Sequence, residues 1–306
     1  MTRRGALLFA AMCVLWGIPY LLIRVAVREL APVTLVFARC ALAALLLLPI
    51  AISRRELSPL RRRWRPLLAF TAIEVAIPWV LLSHAETRLT SSLTGLLIAA
   101  VPLVAAVVVS FSGVRERQGA RRWLGLLVGF VGVAALVGLD VGQIDAVALA
   151  EVAGVAVCYA VGPIVLSRYL AGTPALGVVT ASLVLTAVVY APLAALRWPD
   201  ELPSAHVVES VVALAVVCTA LAFLIFFALI AEVGPVRATV ITYVNPAVAA
   251  VVGVAFLDER LTAGMLVGFA LVLAGSALTT SRGAEPVAEL SAAAAEQRLA
   301  ARRASD

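Results

Sequence analysis

The sequence predicts an all-α, polytopic membrane protein with ten transmembrane helices, arranged as two inverted five-helix repeats. Three observations predict this fold: an apolar composition, a series of apolar runs long enough to span a bilayer, and a matching pattern in the two halves. Hydrophobic residues make up 63% of the 306 residues, and charged residues make up only 14%. Soluble domains average about 45–50% apolar and about 25% charged residues, so lipid is the expected solvent for this surface.

Ten apolar runs each approach the roughly 20 residues that a helix needs to cross the hydrocarbon core. The separators carry the charges and turn formers, as at Arg61–Arg63 and Trp198–Asp200. Membrane β-strands would alternate apolar and polar residues, and these runs do not. The first run leads into Trp16 and Pro19 without a clear small-residue cleavage site, so we expect a retained helix rather than a signal peptide. In chain order, the predicted spans are residues 6–24, 31–51, 66–83, 90–111, 122–139, 146–167, 175–196, 207–231, 236–256 and 261–280.

Arginine placement predicts the orientation, because cytoplasmic loops of membrane proteins are enriched in basic residues. With a cytoplasmic N terminus, 18 arginines fall on the cytoplasmic side, five fall on the other side, and Arg39 lies inside the second span. We therefore expect a multi-pass protein of a bacterial-type plasma (inner) membrane with both termini in the cytoplasm. The Ala-rich residues 281–306 hold no spanning run and are expected to form a cytoplasmic tail. The net charge of +6 does not predict a nucleic-acid partner, because the arginines form no basic face.

An internal repeat relates the two halves of the chain. The segment AAVPLVAAVV around Pro102 resembles YVNPAVAAVV around Pro246, and GLLVGF at 125–130 resembles GMLVGF at 264–269. Each half then holds five spans, and because five is odd the second half enters the membrane from the opposite side. Such inverted repeats recur in secondary transporters. We predict a first repeat at residues 1–139 and a second at 145–280.

The matched prolines Pro102 and Pro246 lie midway along the fourth and ninth predicted spans. A proline removes a backbone hydrogen bond and crowds the preceding turn. In lipid the freed carbonyl is best tolerated where it faces protein or a wet cavity. The prolines therefore mark either a substrate site at mid-depth or kinks used only for packing. The amide of Asn245 either contacts substrate or repairs the neighbouring kink.

Two charged residues, Arg39 and Glu74, lie near the centres of the second and third spans. A charge at that depth costs about 2.5–3.5 kcal/mol on insertion scales, which predicts a function. One hypothesis is that Glu74 binds a proton or cationic group while Arg39 tunes its charge. The alternative is a fixed, buried ion pair. His84, Glu151 and His206 lie at or near span ends. Glu151 is either a periplasmic gate residue or a side chain solvated at the interface, and each histidine is either a solvated end residue or a proton relay.

Aromatic residues are the other candidates for a binding site, because ring faces suit apolar or cationic metabolites. Trp16, Tyr20, Trp79, Tyr159 and Tyr243 could line a cavity. The chain has no Walker, HExxH or GxSxG motif, and its cysteines lie inside apolar runs without CxxC spacing. We therefore predict no enzyme, no catalytic residue, no cofactor and no metal site.

These residues resemble those of EamA-type transporters, in the drug/metabolite transporter superfamily. The resemblance covers residues 6–280 and rests on Trp16-Gly17-x-x-Tyr20, Pro102, Arg115–Arg117, Asn245-Pro246 and Leu257–Thr262. It implies ten helices, cytoplasmic termini and a central cavity between the repeats. On this basis we predict a secondary transporter that exports small metabolites of amino-acid-like, cationic or aromatic type by alternating access. Its partners would be the lipid bilayer, the small-molecule substrate and a proton or other coupling ion. The alternatives are a membrane scaffold or sensor without transport, and an intramembrane enzyme.

Overall fold

The computed structural model describes residues 2–111, 120–138 and 145–280. In these ranges every regular element is helical. Eight helices are long and apolar enough to cross a bilayer, and the two shorter apolar helices Ile241–Leu257 and Ala263–Thr279 complete the ten predicted spans. The all-α polytopic fold is confirmed. The helices are α1 (Arg3–Leu15 and Pro19–Ala26), α2 (Pro32–Ser53), α3 (Trp64–Phe70, Thr71–Ala76 and Ile77–Ala85), α4 (Ser91–Ile98 and Val101–Phe111), α5 (Ala120–Gly138), α6 (Ala146–Tyr169), α7 (Ala175–Leu196), α8 (Ala205–Ala215, Val216–Leu221 and Ala222–Val233), α9 (Pro235–Ala238 and Ile241–Leu257) and α10 (Ala263–Thr280).

Three of the spans predicted as single helices are interrupted. In α1 the chain turns directly before Pro19, which has no N–H to donate to the carbonyl four residues earlier. In α4 the helix stops at residues 99–100, directly before the turn that holds Pro102. In α9 the interruption falls at residues 239–240, and Pro246 lies inside the unbroken helix that follows. The predicted motif Arg115–Arg117 and the predicted tail 281–306 lie outside the described residues.

Two π-helical turns occupy matching places in the two repeats, at Thr71–Ala76 of α3 and Val216–Leu221 of α8. In α3, Pro78 cannot donate to the carbonyl of Glu74, which favours a wider turn. In α8, the hydroxyl of Thr219 donates to the carbonyl five residues earlier at 2.7 Å. Such turns are frequent at functional sites. The span-by-span reading of the sequence did not foresee either one.

The two halves pack as antiparallel helix pairs, each with one helix from each half: α1/α8, α2/α7, α3/α6, α4/α9 and α5/α10. Between α5 and α10, Gly125 faces residue 278 whereas Gly132 faces residues 268–272, so the two helices run in opposite directions. Between α4 and α9, Gly95 faces Ala249 and Gly253 faces Ser92, which is the same arrangement. Because α4 and α5 are the repeat equivalents of α9 and α10, this geometry makes the repeat inverted.

Polar contacts tie these pairs together at the two ends of the bundle. At the N-terminal end, Thr2 donates to Glu232 at 2.6 Å, which joins α1 to α8. The other end of the bundle carries the α1–α2, α3–α4, α7–α8 and α9–α10 loops, and we call it the far end. There the carboxylate of Glu29 accepts from the N–H and hydroxyl of Ser204. These donors, the backbone N–H first, hold the pKa of Glu29 below its ordinary value.

Glu259, in the turn between α9 and α10, caps the start of α4 at the far end. Its two carboxylate oxygens accept from the backbone N–H groups of Ser91 and Ser92, each at 2.8 Å, and also from both hydroxyls. The first N–H groups of a helix have no partner within the helix and attract negative charge. Gly253 makes room for this contact, because a Cβ there would collide with the Ser92 hydroxyl and the Glu259 carboxylate. The predicted motif Leu257–Thr262 therefore connects the two halves.

We expect Gly132→Ala to lower the free energy of unfolding by about 1–3 kcal/mol, because overpacking a tight contact forces backbone shifts. A Cβ at this position would lie 2.6 Å from the backbone nitrogen of Val272 and 2.7 Å from the carbonyl oxygen of Gly268. The matched control is Gly138→Ala in the same helix, where a Cβ meets nothing within 4 Å. Thermal unfolding in detergent measures both variants. Equal melting temperatures would contradict the close approach of α5 and α10.

Candidate functional site

Arg39 of α2 is buried in the interior of the bundle, with 8% of its surface exposed. Its Nε donates to the hydroxyl of Thr219 in the π turn of α8 at 2.9 Å. Its guanidinium carbon lies 3.8 Å from the ring centroid of Trp79 of α3. A cation over a desolvated indole ring gains about 2 kcal/mol. Arg39 therefore joins two helices of the first half to one helix of the second half.

Glu74 lies in the π turn of α3 and faces α6. Its Oε2 is buried and has no hydrogen-bond partner. Gly162 of α6 makes this position possible, because a Cβ there would overlap the carboxylate. Tyr159, nearly one turn earlier on α6, is close enough to interact electrostatically with Glu74 and with Arg39. The carboxylate is thus directed at the boundary between the two halves.

The predicted buried ion pair between Arg39 and Glu74 does not form. Among the described residues, no ion pair joins the two side chains. The physical reason is that Thr219 and Trp79 already hold the guanidinium, while Glu74 points towards Gly162. The structure therefore shows Arg39 and Glu74 as two separate ionisable groups and not as the fixed pair of that alternative.

Tyr20 of α1 is buried beside these charges. Its ring lies on the side of α4 where Gly95 has no side chain, at 3.5 Å from the place that a Cβ would take. Its hydroxyl interacts electrostatically with Tyr159 and Arg39. Five of the predicted site residues therefore come together with Thr219, which the sequence did not indicate. We call this set the central polar group; it consists of Tyr20, Arg39, Glu74, Trp79, Tyr159 and Thr219.

Two further residues predicted to line the site are Trp16 of α1 and Tyr243 of α9. The ring of Trp16 packs against α8, with its centroid 4.7 Å from that of Phe226 and 5.8 Å from that of Phe223. Tyr243 is half-buried, two residues before Asn245. Trp16 therefore stacks on α8, whereas the ring over which Arg39 lies is that of Trp79.

The side-chain amide of Asn245 in α9 replaces a backbone hydrogen bond that is lost at the break in α1. In the amide orientation that satisfies its hydrogen bonds, Nδ2 donates to the carbonyls of Cys13 and Ile241 at 3.1 and 3.0 Å. Gly17 N–H donates to Val14 at 3.0 Å instead of continuing the α-helical pattern, so the Cys13 carbonyl has lost its helical donor. The amide supplies that donor from the other half of the chain. This contact serves the break in α1 and not the kink at Pro246 that was predicted for Asn245, and contact with substrate stays a prediction.

A second group of charged residues joins α3 to α6 at the far end. His84 Nδ1 lies 2.6 Å from Glu151 Oε1, and Arg88 pairs with Glu151 at 3.2 Å and with Asp145 at 3.3 Å. Asp145 also caps α6, and the N–H groups of its first turn, that of Ala148 foremost, hold the pKa of Asp145 below its ordinary value. Sequence reasoning placed these residues singly at span ends and did not foresee the group.

Glu86, in the loop after α3, is the buried charged residue that sequence reasoning missed. Its side chain is fully buried, and neither carboxylate oxygen has a hydrogen-bond partner. The guanidinium of Arg24 donates to its backbone carbonyl. The residue follows the last span residue of α3 and is flanked by His84, Thr87 and Arg88, so it has the sequence context of a solvated loop. No signal in the sequence distinguishes it from such a loop.

Within the described ranges, no group of three or more His, Cys, Asp or Glu side chains is arranged to hold a metal ion. The central polar group has other chemical means: a cation, a carboxylate, hydroxyls and ring faces. It can bind a ligand by charge, hydrogen bonding and stacking.

Comparison with known proteins agrees with this architecture. The family model described as the EamA-like transporter family matches residues 3–138 and 147–281. An uncharacterized transporter of Bacillus subtilis (strain 168), YvbV, is 23% identical over 287 residues, covering 91% of this chain and 92% of that protein. An uncharacterized transporter of Archaeoglobus fulgidus is 25% identical over 269 residues, covering 85% and 92%. A protein of known crystal structure has the same fold, with a TM-score of 0.66 and 21% identity over 90% of this chain and 97% of that chain.

We expect Thr219→Val to lower the free energy of unfolding by about 1.5–3 kcal/mol, because a buried cation then loses its hydrogen-bond acceptor. The matched control is Thr186→Val on α7, since that hydroxyl is equally buried and has no partner. Removal of an unpaired buried hydroxyl is neutral or stabilising. Thermal unfolding of both variants in the same detergent measures the difference. A Thr219 variant as stable as the Thr186 variant would contradict the role of this acceptor.

Proposed function

Because the chain belongs to the EamA-like transporter family, whose model matches both of its halves, we propose that this membrane transporter is a secondary exporter of small metabolites. Transport proceeds by alternating access through the central polar group between the two repeats. The observation that supports this most is the position of Glu74, whose buried carboxylate oxygen has no partner and faces α6 of the other half. An ionisable group at mid-membrane depth is energetically costly, and this cost is the reason to expect that the group has a function.

The substrate class follows from the separation of the two charges. Among the described residues, Thr219 alone accepts from the Arg39 guanidinium, through Nε, so the remaining N–H groups can bind a substrate carboxylate. Glu74 can bind an ammonium group or a proton. The rings of Tyr20, Trp79 and Tyr159 add faces for an apolar or aromatic side chain. An amino-acid-like compound, a cationic compound or an aromatic compound fits this combination.

Alternating access requires the two halves to move relative to one another around the site. The repeats at residues 1–139 and 145–280 are the moving units in this proposal. Trp16, Tyr243 and Asn245 are further candidates to contact substrate along the path, and Pro102 and Pro246 are candidate bending points. We place both termini in the cytoplasm and the protein in the inner membrane, because of the arginine excess at the N-terminal end.

A metabolite-retention comparison tests the proposed function. We expect cells that overproduce the protein to retain less of its substrates, and cells that lack it to retain more. The control is overproduction of Arg39→Gln at equal membrane abundance, which removes the carboxylate-binding cation. Unchanged retention of amino-acid-like, cationic and aromatic metabolites in all three strains would favour the alternative of a scaffold or sensor without transport.

We expect Glu74→Gln to reduce transport of a substrate found in that comparison by about tenfold or more, because a charged hydrogen bond is worth about 1.5–3 kcal/mol. The pH profile of the residual transport should lose the contribution of Glu74, because glutamine cannot bind and release a proton at this position. Uptake into inside-out vesicles at several pH values measures both effects. Glu209→Gln, at an exposed carboxylate, is the matched control and should keep the pH profile. A well-folded Glu74→Gln variant with full, pH-dependent transport would remove Glu74 from the mechanism.

A further inference from the structure

Glu86 has the environment of a proton-binding group rather than that of a structural ion. Its carboxyl group is wholly inside the protein, and both oxygens lack a hydrogen-bond donor. An ionised carboxylate in such a place is strongly disfavoured, so the group must either carry a proton or acquire a cationic partner. The mechanism proposed above uses Glu74 and leaves Glu86 without a role.

The other carboxylates at the far end show what a structural role looks like. Glu259 accepts two backbone N–H groups and two hydroxyls of Ser91 and Ser92, Glu29 accepts two donors of Ser204, and Asp145 caps a helix. Hydrogen-bond donors surround each of these carboxylates. Glu86 lies among them and accepts none.

The charged and titratable groups that face Glu86 come from several elements. Arg24 of α1 and Arg39 of α2 favour its ionised form, whereas Glu259 of the α9–α10 turn opposes that form. The Tyr20 hydroxyl also interacts with it. Burial is the dominant effect and raises the pKa of the Glu86 carboxyl well above its ordinary value. Burial therefore favours the protonated form of the carboxyl in this conformation.

Arg24 provides a means of releasing that proton. Its guanidinium donates to the backbone carbonyl of Glu86, so it already lies beside the residue whose carboxylate it could neutralise. Arg24 belongs to the short segment of α1 that follows the break before Pro19. A movement of this segment can exchange the carbonyl for the carboxylate as the partner of the guanidinium, and the O–H proton of Glu86 then leaves for water.

We propose that Glu86 is the coupling-proton site of the transporter, which exchanges protons with the side of the membrane faced by the far end. This proposal rests on the proposed function. Glu86 lies twelve positions after Glu74, a distance of roughly 18 Å at the helical rise per residue. The two carboxyls therefore lie at different depths, Glu74 with the central polar group and Glu86 near the far end. Binding and release involve only the formation and breaking of one carboxyl O–H bond.

Carbodiimide labelling tests the proton site without any substrate. N,N′-dicyclohexylcarbodiimide modifies protonated carboxyl groups in apolar surroundings, and peptide mass spectrometry locates the adduct. We expect an adduct on Glu86 in the purified full chain at neutral pH, with a yield that falls at alkaline pH. The exposed Glu209 should remain unmodified. In the Glu86→Gln variant, the peptide that contains position 86 should carry no adduct. A Glu86 that stays unmodified at every pH at which the protein is folded would overturn the proposal.

Thermal unfolding separates a protonated carboxyl from a structural ion. Glutamine resembles the neutral carboxyl, so Glu86→Gln should melt no lower than the unsubstituted protein. Glu259→Gln is the matched variant and should melt lower, because it removes the charge that caps α4. A loss of stability in Glu86→Gln equal to that in Glu259→Gln would mean that Glu86 is an ionised structural group and would overturn the proposal.

A transport assay distinguishes a failure of this proposal from a failure of the proposed function. In inside-out vesicles, we expect an imposed pH gradient to drive substrate uptake by the unsubstituted protein. In Glu86→Gln, the gradient-driven rate of uptake should be lower by tenfold or more. A gradient response that survives intact in Glu86→Gln would overturn the coupling role. If the unsubstituted protein transports nothing, the proposed function fails, and the coupling role fails with it even where labelling detects a bound proton.

Discussion

The structure depends on the pairing of each helix with an antiparallel helix from the other half of the chain. In lipid, no hydrophobic force drives helices together, so close backbone approach and polar contacts must hold the bundle. The glycines of α5 and α10 provide the close approach, and the contacts of Thr2, Glu29 and Glu259 provide the polar ties. Because the ties cross between the halves, neither half has a complete set of partners alone. The central polar group follows the same rule, with Arg39 on one side and Thr219 on the other.

The fold could be predicted from the sequence because its signals are long. Runs of about 20 apolar residues determine the spans, and an odd number of spans per repeat determines the inversion. Arg39 and Glu74 could also be selected from the sequence, because a charge inside a span is costly wherever it lies. Their partners could not be selected. The contact of Arg39 with Thr219 joins residues 180 positions apart, and no local pattern indicates which helices meet.

Local backbone geometry was the least predictable feature. Pro102 and Pro246 occupy the same place in the repeat, yet α4 breaks before the first and α9 continues through the second. The π turns have different causes in the two halves, a missing donor at Pro78 and a competing hydroxyl at Thr219. A polar residue next to a span, such as Glu86, reads as a loop residue because burial depends on the neighbouring helices and not on the neighbouring sequence. Sequence symmetry therefore predicts the architecture better than the bends.

The cap that Glu259 places on α4 has a consequence for how the protein is made. Synthesis proceeds from the N terminus, and α4 leaves the ribosome well over a hundred residues before Glu259 does. During that interval the first N–H groups of α4 must bind water, lipid headgroups or the insertion machinery, and Gly253 is not yet available to cover Ser92. The nascent first half is thus an incomplete bundle in the bilayer. Its maturation is completed only when the closing turn of the second half arrives at the same membrane surface.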